Sequence, residues 1–260
     1  MNFLKSVATI WHREIIRYFR DRSRIYSSLF QAFMFLAIMG YGLRSSLASS
    51  NFGADFIQFM YPGVLVIGVM AVAFFATVST VFDREFGFLK EILVAPVSRA
   101  SVVLGKAFGA TTVASMQALL LLIIAPFIHV QIRLVALPQI IFFLLLVAFA
   151  VSAIGLFVSS RIKSTESFGF VMSTFILPMY FLSGAFFPLN AVPKWMSVLA
   201  SFNPLVYGVD ALRIILLRPQ LPAEALKNLT LHSLRYDAFF LILFSGLLIS
   251  LAVWAFNRKN

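Results

Sequence analysis

The amino-acid sequence predicts an all-α, polytopic membrane protein with six transmembrane helices. Hydrophobic residues make up 61% of the 260 residues, whereas soluble globular domains contain about 45–50%. Charged residues make up only 12%, about half of the usual share. A soluble domain of this size lacks the interior to bury so much apolar surface, so lipid must solvate much of the chain.

The few charges are strongly unbalanced, with 21 Lys and Arg against 10 Asp and Glu, which gives a formal net charge of +11. In a membrane protein such an excess marks cytoplasmic loops that face anionic headgroups more often than it marks nucleic-acid binding. We therefore expect the lipid bilayer, and no nucleic acid, as a partner. The absence of Cys excludes disulfides and thiolate metal sites, and three scattered His residues predict no metal site.

Residues 1–25 are predicted to form a cytoplasmic amphipathic interface helix. Its apolar residues share one helical face, and they are Leu4, Val7, Ala8, Trp11, Ile15, Tyr18 and Phe19. The opposite face is mostly basic and holds Lys5, Thr9, His12, Arg13, Arg17, Arg20 and Arg24. A basic amphipathic helix with Trp in its apolar stripe is typical of a helix that lies in the membrane surface. The alternative is a charged anchor that only sets the orientation of the chain.

Six apolar runs are long enough to cross a bilayer. They are residues 26–43, 56–82, 102–128, 135–159, 168–187 and 238–256. A seventh apolar stretch, residues 195–217, contains Asn203-Pro204, Asp210 and Arg213. Proline removes a backbone donor and interrupts helices, so we expect two short helices there, each too short to cross alone. Residues 188–217 are therefore predicted to be an external re-entrant segment before the last span.

The distribution of Lys and Arg supports this topology. With six spans and the N-terminus inside, 14 of the 21 basic residues lie on the cytoplasmic side, and the two short outer loops hold only Arg44 and Arg133. This arrangement follows the positive-inside rule. A seventh span would place Arg258 and Lys259 outside, so we expect both termini in the cytoplasm.

The sequence contains no common catalytic motif. A phosphate-binding Gly-x-x-x-x-Gly-Lys-Ser/Thr loop, His-Glu-x-x-His and Gly-x-Ser-x-Gly are all absent, so we expect no catalytic residue and no cofactor in this chain. No acid lies in the middle of a predicted span, although ion-coupled carriers usually keep one there. Lys106 lies about one turn inside the membrane and is expected to extend to the interface. We therefore expect energy for transport to come from another subunit.

Residues 83–95 are predicted to form a short cytoplasmic helix that receives such a subunit. Charged residues alternate there with apolar residues at helical offsets, and Ala95-Pro96 ends the helix. A short helix with exposed apolar side chains suits a groove on a partner protein. The alternative is an ordinary amphipathic loop that rests on the bilayer.

Three stretches, residues 82–99, 182–188 and 195–213, together resemble the membrane subunit of type-2 ATP-binding-cassette (ABC) exporters. The resemblance is to the daunorubicin-resistance-like and nodulation-factor-export-like permeases, and it covers essentially the whole chain. It implies a homodimer of permeases that engages two ABC ATPase subunits, which would bind ATP and Mg²⁺. It also implies alternating access, export, and a place in the bacterial inner membrane.

The resemblance also assigns residues to roles. The ATPase contacts would be Glu85, Phe88, Leu89, Glu91 and Leu93. The interface helix would use Trp11, Arg13 and Arg17. The external gate would contain Asn203, Pro204, Asp210 and Arg213, of which Asp210 and Arg213 are spaced to pair on one helix face.

The substrate pathway is expected between the second and fifth spans. Its candidate residues are Phe74, Thr77, Thr80, Met172, Phe175 and Met179. Met and Phe surfaces adapt to varied apolar ligands, which would suit an amphipathic drug, lipid or lipid-linked glycan. Phe and Met in a span also commonly face lipid or another helix, and Gly105 and Gly109 have the spacing of a helix contact. Two other functions stay open, an ion-coupled carrier or channel and a non-transporting membrane scaffold.

Overall fold

The computed structural model describes residues 2–35, 37–38, 56–88, 97–128 and 130–258, and every regular element in these ranges is helical. The prediction of an all-α protein is confirmed. The helices are α1 (Phe3–Arg20), α2 (Arg22–Phe35), α3 (Phe56–Glu85), α4 (Arg99–Ile124), α5 (Leu137–Arg161), α6 (Thr165–Phe181), α7 (Lys194–Ser201), α8 (Pro204–Leu217), α9 (Ala223–Leu229) and α10 (Leu234–Arg258). Short 3-10 turns occupy Ala125–Ile128, Leu134–Ala136 and Leu189–Ala191.

Four helical runs within the described ranges are long and apolar enough to cross a membrane. They are Ile57–Glu85, Arg99–Ile124, Leu134–Arg161 and Ala223–Asn257. These runs correspond to the predicted spans 56–82, 102–128, 135–159 and 238–256. The number becomes five if the bent pair α7–α8 is counted as one broken span. The predicted span 26–43 lies partly outside the described residues, and α2 covers its first part.

The predicted span 168–187 is shorter in the structure than in the sequence analysis. Its helix, α6, has 17 residues, which corresponds to about 25 Å at 1.5 Å per residue, less than the roughly 30 Å of a bilayer core. Gly184, with a φ of 75°, lies in the turn that follows α6, a conformation that favours glycine. The apolar sequence continues through this turn, so composition alone placed the helix end too late.

Residues 194–217 form two short helices whose axes differ by 93°. The break lies at Asn203-Pro204, as predicted, because Asn203 accepts a hydrogen bond from the backbone N–H of Leu205 and Pro204 begins α8. Almost all of α8 is buried, where it packs against α3, α5 and α10. In contrast, α7 leaves large apolar side chains such as Trp195 exposed.

The long helices form one bundle in which α3, α4 and α5 pack against one another and α10 packs against α4 and α5. At one end α3, α5 and α10 finish and α4 begins, since Arg84 contacts the end of α5 and Arg99 contacts the end of α10. Helix α1 lies against α4 at this end, which we call the α1 end. The other end, where α8 approaches the start of α10, we call the far end.

Candidate functional site

At the α1 end, the interface helix α1 is in close contact with two glycines of α4. A Cβ atom on Gly105 would lie 2.7 Å from the Cβ of Ile10, and one on Gly109 would lie 2.6 Å from the Cβ of Glu14. Both distances are shorter than any side chain tolerates, so only glycine allows α1 to approach this closely. The GxxxG-spaced pair in α4 is therefore a helix contact.

The row of α1 that packs on α4 shares only Tyr18 with the predicted apolar stripe. The buried side chains of α1 belong to Ser6, Ile10, Glu14 and Tyr18, whereas Leu4, Trp11 and Phe19 of the predicted stripe are exposed. The Trp11 indole donates a hydrogen bond to the Thr112 hydroxyl at 3.0 Å. One face of α1 thus packs on protein, and the apolar side chains beside it remain exposed.

Lys106 of α4 lies at the centre of a buried ionic cluster. Its Nζ is 2.6 Å from Oδ2 of Asp83 and 3.2 Å from Oε1 of Glu14, and it donates to the Ser79 hydroxyl at 3.3 Å. The side chain is only 2% exposed. The expectation that Lys106 extends to the membrane interface is wrong, because two carboxylates within the protein satisfy its charge at shorter range.

Two arginines of α1 complete this cluster, which we call the α1 junction and define as Arg13, Glu14, Arg17, Asp83 and Lys106. Arg13 Nη2 contacts both carboxylate oxygens of Asp83, at 2.8 and 2.6 Å. Arg17 Nη1 lies 3.7 Å from Asp83 Oδ1. Three cations from two helices therefore surround the carboxylate of Asp83, which lies in the last turn of α3.

The two residues after Asp83 contact the connection between α5 and α6. Arg84 Nη1 donates to the carbonyl oxygens of Ser159, Ser160 and Ile162, at 2.9, 3.1 and 2.6 Å. Glu85 Oε2 accepts from the backbone N–H and the hydroxyl of Thr165. A cation at the C-terminus of one helix and an anion at the N-terminus of the next both suit the helix dipoles.

The described part of the predicted ATPase contact begins just beyond these residues. Gly87, with a φ of 78°, follows α3, and Phe88 is exposed with the Arg13 guanidinium 4.8 Å from its ring centroid. Glu85 and Phe88 thus lie beside the α1 junction. The other three predicted contacts, Leu89, Glu91 and Leu93, lie outside the described residues.

The six predicted pathway residues fall into two environments. Phe74, Thr77 and Thr80 of α3 are fully buried within this chain, and a Cβ on Gly155 of α5 would collide with Thr77. On α6, Met172 is buried and Met179 is half-buried, whereas Phe175 is 58% exposed. Helices α3 and α6 are in contact.

A cavity of about 600 Å³ between α1 and α3 was not predicted. Its lining combines charged and apolar side chains, namely Glu14, Arg17, Tyr18, Arg20, Asp21, Phe75, Ala76, Val78, Ser79 and Phe82. The residues from α3 lie among the predicted pathway residues in sequence but on another face of the helix. No local signal in the sequence indicates this cavity, because it depends on the approach of residues 14–21 to residues 75–82.

The four predicted gate residues all lie around α8, and the polar side chains of Asn203, Asp210 and Arg213 hydrogen-bond to backbone groups. Asn203 Nδ2 donates to the Met179 carbonyl at 2.9 Å. The buried Arg213 guanidinium donates to the Gly184 carbonyl at 2.7 Å and the Leu229 carbonyl at 3.3 Å, and it lies 4.2 Å from the centroid of the Phe59 ring. Asp210 accepts backbone hydrogen bonds from residues 231 and 232. The predicted pairing of Asp210 with Arg213 is thus replaced by contacts with the neighbouring segments.

Comparison with known families gives a match over most of the chain. The family model described as "ABC-2 type transporter" matches residues 5–217. This range includes all but the first two residues of α1, the α1 junction and both helices of the bent pair.

Individual relatives are similar to the chain over most of its length. Nodulation protein J of Rhizobium leguminosarum bv. viciae is 27% identical over 86% of this chain and 85% of its own length. The ycf38 protein of Cyanophora paradoxa, whose name describes it as a transport permease, is 27% identical over 82% of this chain and 74% of its own. Inner membrane transport permease YadH of Escherichia coli (strain K12) is 24% identical over 80% and 81%.

Proposed function

Because the chain belongs to the ABC-2 type transporter family, we propose that it is the transmembrane subunit of an ATP-driven exporter that works with a separate ABC ATPase subunit. Permeases of this family are transport components rather than enzymes. In this proposal ATP and Mg²⁺ bind the partner subunit, and this chain forms the path for the substrate.

The observation that carries the proposal is the arrangement of three consecutive residues at the end of α3. Asp83 contacts α1 and α4, Arg84 contacts the end of α5, and Glu85 contacts the start of α6. A force applied just after Glu85 would therefore act on four other helices through charged hydrogen bonds, which are stronger than neutral ones. Such a connection suits the point at which an ATPase moves a permease.

The mechanism that we propose is alternating access driven from this point. Closure of the ATPase subunits on ATP would displace residues 83–95, with Glu85, Phe88, Leu89, Glu91 and Leu93 as the contacts. Arg13 links this segment to α1, because its guanidinium lies over the Phe88 ring and bonds Asp83. Trp11, Arg13 and Arg17 would hold α1 in place while the end of α3 moves.

The proposed substrate is amphipathic, such as a drug, a lipid or a lipid-linked glycan. The cavity between α1 and α3 supports this choice, because Arg17 and Arg20 line one part and Phe75 and Phe82 line another. A charged headgroup and an apolar tail would find matching surfaces there. The path would continue along α3 and α6 past Phe74, Thr77, Thr80, Met172, Phe175 and Met179, and it would end at a gate formed by Asn203, Pro204, Asp210 and Arg213.

We further propose a homodimer with two ATPase subunits, in a bacterial inner membrane with both termini in the cytoplasm. Helix α6 contacts α3, and it leaves Phe170, Phe175, Leu177 and Phe181 exposed. An apolar helix surface of this kind can face lipid or a second copy. The basic α1 end would lie at the cytoplasmic leaflet, where anionic lipids attract Arg and Lys.

Reconstitution with a co-purified ABC ATPase subunit tests the proposed function. Movement of a fluorescent lipid analogue and of a lipophilic dye into everted vesicles should require ATP and should persist when an uncoupler removes the ion gradients. Loss of transport with the uncoupler would support an ion-coupled carrier instead. If purified complexes never retained an ATPase subunit, a membrane scaffold would replace the exporter as the better explanation.

A further inference from the structure

The far end of the bundle holds three potential metal ligands from separate parts of the chain. Asp210 lies in the middle of α8, His232 lies in the link between α9 and α10, and Asp237 lies in the first turn of α10. One ligand atom from each residue can be chosen so that all three lie within 4.8 Å of one another. The sequence predicts no metal site, because its three His residues are far apart along the chain.

The local structure holds the first two of these side chains in a defined orientation. The Asp210 carboxylate accepts hydrogen bonds from the backbone N–H of Leu231, at 2.9 and 3.0 Å, and of His232, at 2.7 Å. The His232 ring packs against both Tyr207 and Tyr236, with centroid distances of 5.3 and 4.7 Å. Its Nδ1 consequently points at the acids, 3.8 Å from Asp210 Oδ2 and 3.7 Å from Asp237 Oδ1.

The polar atoms that face this point lack hydrogen-bond partners. Asp237 is 0% exposed, yet neither of its carboxylate oxygens makes a hydrogen bond, and the same is true of His232 Nδ1. Buried charges in proteins are normally paired or coordinate metal ions. The nearby cation Arg213 donates to the carbonyls of Gly184 and Leu229, so its guanidinium is directed to backbone oxygens.

From this geometry we propose that Asp210, His232 and Asp237 bind a divalent transition-metal ion, Zn²⁺ or Mn²⁺. An imidazole with two carboxylates is a mixed nitrogen and oxygen set that suits these ions. Ligand atoms in a tetrahedral Zn²⁺ site are about 3.3 Å apart, as follows from bond lengths of about 2.0–2.2 Å. The two distances from His232 Nδ1 exceed that spacing by about 0.4–0.5 Å. A rotation of the Asp237 carboxylate, which makes no hydrogen bond, and a small shift of the His232 ring would close this gap while Asp210 keeps its orientation.

The surroundings also fit such an ion. The His232 side chain is 32% exposed, which provides a route from the far-end surface to the buried carboxylates. Three protein ligands leave a fourth position for water. The backbone hydrogen bonds to Asp210 orient its carboxylate, as outer contacts do in known metal sites. The bound ion would connect α8 to the start of α10 and would hold the link between α9 and α10 against α8.

Metal binding by the purified full-length chain in detergent tests this proposal. After treatment with a chelator, equilibrium dialysis against Zn²⁺ or Mn²⁺ should give about one ion per chain, with thermal unfolding at higher temperature in the presence of the ion. Asp237→Asn, which keeps the shape of the side chain, and His232→Ala should each weaken binding more than about tenfold. Matched controls are Glu224→Gln and His12→Ala, which change an exposed acid and an exposed His elsewhere.

The outcomes separate a metal site from its alternatives. Co²⁺ bound in place of Zn²⁺ should give visible absorption bands, and His232→Ala should remove these bands. Nonspecific binding of Co²⁺ to unfolded protein would not give them. No stoichiometric ion with the unaltered chain, or equal binding by both site variants and both controls, would overturn the proposal. The proposal would also be overturned if Asp237→Asn raised the unfolding temperature and the unaltered chain bound no metal. That result would indicate that the Asp237 carboxyl group is protonated.

Discussion

Nζ of Lys106 lies 2.6 Å from Oδ2 of Asp83, and both side chains are almost fully buried between α3 and α4. A third helix, α1, adds Glu14, whose Oε1 lies 3.2 Å from the same nitrogen. Removing such charges from water is costly, and good geometry with additional hydrogen bonds is needed to offset that cost. Arg13 and Ser79 supply these bonds, so the α1 junction holds three helices together.

We predict that Lys106→Met lowers the free energy of unfolding by about 3 kcal/mol, because it leaves Asp83 and Glu14 buried beside fewer cations. Thermal unfolding in detergent measures the effect. Lys163→Met, at an exposed site, is the matched control and should change little. Equal unfolding temperatures for the two variants would contradict the role assigned to this pair.

We predict that Gly105→Leu separates α1 from α4, since even a Cβ at this position would collide with Ile10. The chain has no Cys, so a single Ser6→Cys reports on the buried face of α1. Labelling of this Cys by a hydrophilic maleimide should become faster in the Gly105→Leu background. Gly246→Leu, in α10 with open space around it, is the control, and faster labelling in both backgrounds would argue against a specific contact.

We predict that Arg84→Ala uncouples ATP hydrolysis from transport, because it removes three hydrogen bonds between the end of α3 and the end of α5. Reconstituted complexes should keep their ATPase activity and lose most of their transport. Arg161→Ala is the matched control, because it also removes a guanidinium at the α1 end. Arg161 contacts aromatic rings of α5 and α10. Retained coupling in Arg84→Ala would refute the proposed connection.

The double substitution Glu85→Ala with Leu89→Ala should also uncouple hydrolysis from transport while the chain still inserts into the membrane. Glu85 accepts two hydrogen bonds from Thr165 at the start of α6, and Leu89 is a proposed ATPase contact. Glu166→Ala removes a neighbouring exposed acid and should leave coupling intact. ATPase activity and transport are measured in the same vesicles to give the ratio of transport to ATP hydrolysis. An unchanged ratio would contradict the assignment of residues 83–95 as the ATPase contact.

The sequence was sufficient for the features that composition and periodicity control. Long apolar runs predicted four long helices that the structure contains, with ends that differ from the prediction by up to four residues. Asn203-Pro204 predicted the break before α8, because Pro and an Asn cap act locally. The end of α6 was misplaced because the residues after Phe181 are as apolar as the helix itself. The hydrophobicity of these residues does not indicate where the helix ends. The turn depends instead on the backbone conformation of Gly184.

Contacts between distant residues could not be predicted in the same way. Lys106 and Glu14 are 92 positions apart, and the period of α1 indicates an apolar face without showing that Ser6, Ile10, Glu14 and Tyr18 are the residues that pack on α4. Asp210 and Arg213 have the spacing of an ion pair, but backbone groups from other segments lie closer to each of them. One-dimensional patterns predict faces and boundaries, and tertiary packing decides the partners.

We predict that Arg213→Met destabilises the far end by about 3 kcal/mol. The Arg213 guanidinium donates hydrogen bonds to two carbonyl oxygens. Its removal leaves these buried oxygens without their partner, which is costly. Loss of its contact with the Phe59 ring adds to the effect. Thermal unfolding in detergent provides the measurement. Arg218→Met changes an exposed Arg in the next turn, and a similar loss in this control would contradict the specific role of Arg213.

The homodimer can be tested at the exposed apolar surface of α6. Phe175 is 58% exposed there, and because the chain has no Cys, Phe175→Cys places one thiol at the proposed interface. A short bismaleimide should cross-link two copies of this variant in native membranes, because residues near the two-fold axis of a symmetric interface lie close to their counterparts in the other copy. Leu243→Cys, on an exposed apolar face of α10, is the matched control and should stay monomeric under the same conditions. Cross-linking of Leu243→Cys without Phe175→Cys would place the interface on α10 and would contradict an interface at α6.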